Sequence, residues 1–128
     1  MTIPEAFQIA LQHHQAGRLA EAEAIYRQIL AVEPRQPDSI HMLGLIANQV
    51  GRNDIAVDLI RQAITIAPGQ PVFHSNLGNA LSAMGRLDEA VAAYRRAVQL
   101  QPDFADAHNN MGSALKTKGD LDGAIAAY

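Results

Sequence analysis

Residues 85–102, GRLDEAVAAYRRAVQLQP, form a unit that recurs along the whole chain. Its first glycine returns every 34 residues, at Gly17, Gly51, Gly85 and Gly119. An alanine five residues later keeps the same period, at Ala22, Ala56, Ala90 and Ala124, and the closing proline returns at Pro34, Pro68 and Pro102. A fixed period carried by three residue types indicates a repeat protein, in which each unit packs against its neighbours.

The repeat frame divides the chain without any linker. With Gly85 at position 15, the repeats are residues 3–36, 37–70 and 71–104, and a partial fourth repeat covers 105–128. We therefore predict one all-α domain, 1–128, in which each repeat is a pair of helices, A and B. Helical spacing puts one set of third-repeat residues on the buried face of helix A, namely His74, Leu77, Gly78 and Leu81. The corresponding set on helix B is Ala90, Ala93, Tyr94, Ala97 and Val98.

Glycine, aspartate and proline mark the helix boundaries. The period-34 glycines are expected to end helix A, because glycine at C′ adopts the left-handed conformation. Helix B is expected to begin near Asp54, Asp88 and Asp122, through capping and the helix dipole. The period-34 prolines should stop helix B. A second glycine series, Gly44, Gly78 and Gly112, lies inside helix A. It predicts that the backbone of a neighbouring helix approaches too closely for a Cβ.

Composition excludes several classes of function. The net charge is −3, so the chain lacks the basic patch that nucleic acids or anionic membranes require. It contains no cysteine, which removes disulfides, thiolate metal sites and cysteine nucleophiles. No segment is a signal peptide, and none approaches the roughly 18 apolar residues that span a bilayer. We predict a soluble, cytoplasmic chain with no cofactor, metal, nucleic-acid or membrane partner.

The repeat residues resemble the tetratricopeptide repeat (TPR) family. The matching features are the 34-residue period, glycine at position 8, alanine at 20, an aromatic at 24 and proline at 32. The large aromatic of the family at position 4 is His74 in the third repeat and His108 in the fourth, and Ile60 replaces the aromatic at 24 in the second repeat. The resemblance implies antiparallel helix pairs in an α-α solenoid, a right-handed superhelix. Its helices A would line a concave groove that binds a protein partner as an extended peptide or a helix.

The resemblance also implies which residues line that groove. Transferring the groove positions to this sequence gives seven polar candidates, His41, Asn48, Asn76, Asn79, Asn109, Asn110 and Lys116. Asn76 and Asn110 share position 6, one repeat apart, and a carboxamide offers two donors and an acceptor to a peptide backbone. Residues 74–91 and 105–125 are similar to repeats of O-linked N-acetylglucosamine transferases, where an asparagine ladder holds protein substrates. The alternative is that the two asparagines only reflect copying of a repeat.

Other residue types that could carry chemistry have structural interpretations. His74 and His108 occupy the packing position of the family's aromatic, so we interpret them as packing residues. His13 and His14 are adjacent on a helix and point about 100° apart, which prevents convergence on a metal. We find no catalytic constellation, and we predict that these residues are not an enzyme.

The partial fourth repeat stops at Tyr128, inside its helix B, and leaves two explanations. The sequence is expected to be a fragment of a longer protein, or its uncapped C-terminal end pairs with another chain to give a homo-oligomer. Three functions therefore stay open. They are a peptide-binding module, the substrate-recruiting N-terminal arm of a glycosyltransferase of the O-linked N-acetylglucosamine type, and a structural self-assembly module.

Overall fold

The computed structural model describes the backbone of residues 1–127, with the side chains of 123, 124, 126 and 127 left aside. It contains seven helices over these residues: α1 (Ile3–Gln15), α2 (Leu19–Val32), α3 (Pro37–Gln49), α4 (Asn53–Ile66), α5 (Pro71–Ala83), α6 (Leu87–Leu100) and α7 (Ala105–Ala127). No described residue is in a strand, which confirms the predicted all-α class. None of these helices is long and apolar enough to cross a bilayer.

The chain divides into two compact units, Met1–Pro68 and Gly69–Tyr128. In the first unit, α1 packs on α2, α2 on α3 and α3 on α4. In the second unit, α5 and α7 both pack on α6, and α5 also touches α7. Each of the first three repeats is therefore a helical hairpin, as the sequence predicts.

The predicted helix ends are confirmed in the first three repeats. Gly85 has φ +75°, its N–H donates to the Ser82 carbonyl, and the next N–H, of Arg86, donates to the Leu81 carbonyl. This pair of bonds is the Schellman motif, which needs a residue that tolerates positive φ. Gly17 and Gly51 end α1 and α3 in the same way. Helices α2, α4 and α6 each end two residues before the period-34 proline.

The acids at the start of helix B do not cap it, so that part of the prediction is wrong. The N-cap residue of α6 is Arg86, which makes no side-chain capping bond, and Asp88 lies within the first helical turn. There it faces the positive end of the helix dipole, the contribution that the sequence does predict. Asp88 Oδ1 also pairs with Lys118 Nζ of α7 at 2.6 Å. The hydrogen bond that Lys118 donates to Asp88 is the main cause that raises the pKa of Lys118.

The helix A glycines are needed because of a side chain rather than a backbone. A Cβ on Gly78 would lie 2.5 Å from Cε1 of Tyr94, and one on Gly44 would lie 2.7 Å from Cγ1 of Ile60. Both neighbours occupy position 24 of the same repeat and are almost fully buried. The prediction of a close approach is thus correct in place, but the nearest atoms belong to side chains; at Gly44 a backbone atom, the Ala56 carbonyl oxygen, lies farther away at 3.4 Å. For Gly112 no atom of a described residue lies within 4 Å, and Tyr128, the residue at position 24 of the same repeat, falls outside the described residues.

The fourth repeat differs from the prediction. Gly119 does not end a helix and Asp122 does not begin one, because α7 runs unbroken from Ala105 to Ala127. A reversal at a glycine forgoes several intrahelical bonds, and the return helix must offset that loss by burying its apolar face. In the continuous helix Leu121 is 53% exposed and Ile125 is 70% exposed, so these two side chains bury little apolar surface. The unbroken helix instead keeps its intrahelical bonds across Gly119.

The two histidines at position 4 lie in different environments. His74 is buried on α5, which confirms its interpretation as a packing residue. His108 is exposed, and its Nε2 bonds the carbonyl oxygen of Pro102 at 2.8 Å, so its packing role is wrong. His13 and His14 point to different partners, the former accepting from Arg18 Nε and the latter meeting Gln49 Oε1 at 2.6 Å. No group of three His, Asp or Glu side chains within the described part of the chain could hold a metal ion.

Candidate functional site

The second unit brings three of the predicted groove asparagines together. Asn76 and Asn79 lie one turn apart on α5, and Asn110 lies on α7. Asn110 Nδ2 donates to Asn79 Oδ1 at 3.1 Å, and Asn79 Nδ2 donates to Asn76 Oδ1 at 3.3 Å. We call this series Asn110–Asn79–Asn76 the carboxamide chain. Asn79 is its centre, although the sequence singles out Asn76 and Asn110 as a two-membered ladder.

A buried tyrosine fixes the orientation of the carboxamide chain. Tyr94 of α6 is 2% exposed, and its hydroxyl donates to Asn79 Oδ1 at 2.7 Å. The hydroxyl also lies 3.4 Å from Ser82 Oγ. Burial raises the pKa of Tyr94, so the phenol keeps its proton and remains a donor. Both lone pairs of Asn79 Oδ1 are then used, which sets the plane of this carboxamide.

Sequence reasoning missed the role of the Tyr94 hydroxyl. It treats Tyr94 only as a packing residue, yet position 24 carries tyrosine rather than phenylalanine in the first, third and fourth repeats. Since buried tyrosine hydroxyls usually have a hydrogen-bond partner, that choice is the signal which could have pointed to the polar neighbour.

The carboxamide chain borders a cavity of about 330 Å³. Four of its lining residues belong to the hydrogen-bonded network, namely Asn79, Asn110, Tyr94 and Ser82. The remaining lining residues are Leu87, Ser113, Ala114 and Thr117. None of the lining residues is charged, so the cavity offers neutral donors and acceptors over an apolar floor. Such a surface suits peptide groups and uncharged side chains better than ions.

The other predicted groove residues lie in different environments. Asn109 and Lys116 are exposed on α7, and neither side chain makes a hydrogen bond or ion pair with another described residue. Asn48 is half-buried in the first unit, and its Oδ1 is buried without a partner among the described residues. His41 is 5% exposed, and burial lowers its pKa to about 4. His41 therefore presents little surface to a partner.

The first unit has the same tyrosine in a different setting. Tyr26 occupies position 24 of the first repeat and is fully buried, and burial raises its pKa to about 12. Position 9 is Leu11 there, where the third repeat has Asn79. The Tyr26 hydroxyl accordingly has no hydrogen-bond partner within the described part of the chain. The tyrosine–asparagine bond is thus specific to the second unit.

The tandem helical hairpins define a helical repeat protein, and the polar network beside the cavity is its candidate site. Comparison with family models identifies the family. The tetratricopeptide repeat model matches residues 7–71, and a TPR repeat model matches residues 78–119. The first match alone covers half of the chain. The chain belongs to the tetratricopeptide repeat family. Comparison with curated protein sequences finds no match.

Solved structures resemble the chain over most of its length. A mutant O-GlcNAc transferase from Thermobaculum terrenum is 29% identical with a TM-score of 0.86, over 88% of this chain and 22% of that one. The chain thus spans about a fifth of that enzyme. The first TPR of Spaghetti (RPAP3), bound to the HSP90 peptide SRMEEVD, is 18% identical with a TM-score of 0.86, over 91% of this chain and 93% of that one. The Sgt2 TPR domain from Aspergillus fumigatus is 15% identical with a TM-score of 0.88, over 94% and 81%. The last two likenesses concern the fold alone.

Proposed function

We propose that the chain is a protein-interaction module that binds a peptide or a helix of a partner over the carboxamide chain. The observation that carries this proposal is the Tyr94–Asn79–Asn110 arrangement, in which a buried hydroxyl holds Asn79 and Asn79 holds Asn110. Such a series orients polar groups at the surface before a partner arrives. Groups that are already ordered lose less conformational entropy on binding.

The remaining bonding capacity of the carboxamide chain matches a peptide backbone. Asn110 uses one N–H toward Asn79, which leaves its other N–H and its Oδ1 to a partner. Ser113, exposed one turn further along α7, adds a hydroxyl beside the same cavity. A donor and an acceptor on one side chain can pair with the C=O and N–H of one peptide segment. Recognition of this kind depends little on the partner's side chains.

The outer groove candidates flank this centre as secondary contacts. Asn109 and Lys116 are exposed on the same helix as Asn110 and are open to a partner. Lys116 would favour an acidic residue at the edge of the bound segment. Asn48 and His41 belong to the first unit, and the burial of His41 makes it the weakest of the proposed contacts.

A second candidate function is that of a substrate-recruiting arm in a larger glycosyltransferase. The similarity to the Thermobaculum terrenum O-GlcNAc transferase, which this chain matches over 22% of that enzyme's length, favours it. Under this proposal residues 1–128 hold the protein substrate and catalysis resides in another part of a longer polypeptide. The carboxamide chain would bind the peptide segment in both cases.

Peptide selection followed by matched substitutions tests the binding proposal. Peptides selected from a random phage library on the wild-type chain are measured by fluorescence polarisation. We expect Asn110→Ala and Asn76→Ala each to weaken binding about fivefold, the equivalent of one neutral hydrogen bond. Gln99→Ala is the control, because Gln99 is an exposed carboxamide on α6 outside the cavity. Equal binding by all three variants would contradict the proposal.

The mass of the endogenous protein separates the two candidate functions. An antibody raised against this chain should detect a product near 13.8 kDa if it acts as an independent module. A much larger product would favour the recruiting arm, and the selected peptides should then be substrates of the attached enzyme.

A further inference from the structure

The first unit contains a larger cavity whose lining differs from that of the carboxamide chain. It measures about 520 Å³ and lies where α2 and α4 flank the end of α3. Most of its wall is aliphatic, and the principal side chains are Leu19, Leu43, Ile46, Ile55 and Leu59. The volume falls within the range of ligand-binding pockets and accommodates a large aliphatic side chain. We call it the α2–α4 pocket.

Three charged residues border the α2–α4 pocket, and only two of them neutralise each other. Glu23 Oε1 pairs with Arg27 Nη2 at 2.9 Å along α2. Arg52, the N-cap residue of α4, is exposed, and its side chain makes no hydrogen bond or ion pair with another described residue. The pocket therefore combines an apolar interior with one uncompensated positive charge.

The third repeat has an ion pair that Arg52 lacks in the second repeat. Arg86 occupies the same repeat position and forms a two-pronged ion pair with Glu89, at 2.8 and 2.7 Å. The counterpart of Glu89 in the second repeat is Ile55, which is 42% exposed and lines the pocket. This replacement removes a carboxylate from the neighbourhood of the Arg52 guanidinium and puts an apolar wall beside it.

In the first repeat, too, the equivalent arginine has a side-chain partner, although a different one. Arg18 occupies the equivalent position there, and its Nε donates to His13 Nδ1 at 2.8 Å. Of these three equivalent arginines, Arg52 alone lacks a side-chain partner among the described residues. Its neighbour Val50 is 56% exposed and extends the apolar surface at the pocket.

We propose that the α2–α4 pocket binds a segment of a partner protein that carries a large aliphatic side chain next to a carboxylate. The aliphatic side chain enters the pocket and removes the surfaces of Ile55 and Leu59 from water. The carboxylate takes the place that Glu89 has in the third repeat and pairs with both edges of the Arg52 guanidinium. Charge complementarity selects an acidic segment, since the bordering charges sum to +1. This surface lies in the other unit from the carboxamide chain and is independent of its function.

The test uses the full 128-residue chain, ¹⁵N-labelled, and a defined peptide as the probe. The probe is acetyl-Gly-Ser-Asp-Ile-Leu-Asp-Ser-Gly-amide, added to millimolar concentration while amide shifts are recorded. We expect saturable shifts at amides of α2 and α4. A peptide with asparagine for both aspartates and a peptide with alanine for the Ile-Leu pair should each bind more weakly.

Matched substitutions in the chain distinguish the two parts of the pocket. Arg52→Gln removes the charge from an exposed side chain and should weaken binding about three- to fivefold, as expected for an exposed ion pair. Ile55→Glu restores the third-repeat arrangement, occupies Arg52 from within the chain and removes an apolar wall, so binding should fall about tenfold or more. Arg86→Gln changes the equivalent arginine outside the pocket and should have no effect. The ¹⁵N spectrum of each variant verifies its fold.

Several results would overturn this proposal. Saturable binding with Arg52→Gln equal to wild type would exclude the ion pair, and an absence of shifts at millimolar peptide would exclude the pocket. Shifts confined to α5, α6 and α7 would assign the peptide to the carboxamide chain instead. Shifts of α2 and α4 that appear with protein concentration alone, and vanish in Arg52→Gln, would show that the occupant is a second copy of the chain.

Discussion

The hydroxyl of Tyr94 donates a 2.7 Å hydrogen bond to Oδ1 of Asn79, which joins the buried face of α6 to the polar face of α5. One residue before Asn79 stands Gly78, whose missing side chain leaves room for the same tyrosine ring. The packing of the hairpin and the orientation of the candidate site therefore depend on one side chain. This dependence makes the site testable by stability measurements that do not require a known partner.

Removing the two buried tyrosine hydroxyls should have unequal effects. Tyr94→Phe deletes a satisfied donor and should lower the free energy of unfolding by about 1 kcal/mol. Tyr26→Phe deletes a hydroxyl that is buried without a partner among the described residues, so the variant should be as stable as wild type or more so. Urea denaturation followed by circular dichroism measures both. A Tyr26→Phe variant as destabilised as Tyr94→Phe would contradict the contrast.

Alanine at two equivalent helix A glycines should change stability in opposite directions. At Gly78 the new Cβ would meet the Tyr94 ring at 2.5 Å, and overpacking of this kind costs about 1–3 kcal/mol, more than the gain in helix propensity. At Gly112 no atom of a described residue lies within 4 Å, and the same change should stabilise α7 by up to about 1 kcal/mol. Thermal unfolding of both variants provides the comparison. Destabilisation by Gly112→Ala would show that a side chain covers this position.

Gly85 and Gly119 share a repeat position, yet the structure gives them different conformations. Gly85 has a positive φ, so alanine there should destabilise by about 1 kcal/mol. Gly119 lies inside α7, so alanine should stabilise the helix by up to about 1 kcal/mol. Neither Cβ would meet an atom of another described residue within 4 Å, which leaves backbone conformation as the difference. Equal destabilisation by both changes would instead favour a turn at Gly119, as the sequence pattern predicts.

Acid should weaken the fold through His41. Burial lowers its pKa to about 4 from 6.5, so the unfolded chain takes up this proton at a higher pH than the folded chain. The contribution is fully present above about pH 6.5 and is lost as the pH falls toward 4, with a slope of up to about 1.4 kcal/mol per unit. We expect the wild type to lose more stability across this window than His41→Gln. A ring titration of His41 by NMR with a midpoint near 6.5 would refute the argument.

The isolated chain should self-associate as its concentration rises. Among the described residues of α7, three large apolar side chains are exposed, Leu115 at 43%, Leu121 at 53% and Ile125 at 70%. Burying them between copies removes apolar surface from water, which favours association. Sedimentation velocity over a concentration series measures this. A monomer at every concentration would rule it out, and Leu121→Lys should reduce association if α7 is the contact.

Local conformational preferences let the sequence predict most of the fold. Gly85 predicts a helix end because few residues other than glycine tolerate the left-handed region, and Pro102 predicts the next end because proline lacks a donor. Neither signal depends on contacts with distant residues. At Gly119 the same residue type predicts a helix end that the structure does not have. A glycine allows a turn, but burial of the following helix decides whether the turn forms.

The candidate site, like the fold, could be predicted only in part from the sequence. The sequence by itself determined the repeat, the hairpins and the presence of carboxamides on helix A, since each follows from periodicity and from the properties of single residues. Only the tertiary structure decided that Asn79 joins Asn76 to Asn110, that Tyr94 orients it, and that His108 stays exposed while His41 is buried. These outcomes depend on which side chains from different helices reach one another. A hydrogen bond between α5 and α6 is a relation across the packed hairpin that the spacing within one helix does not contain.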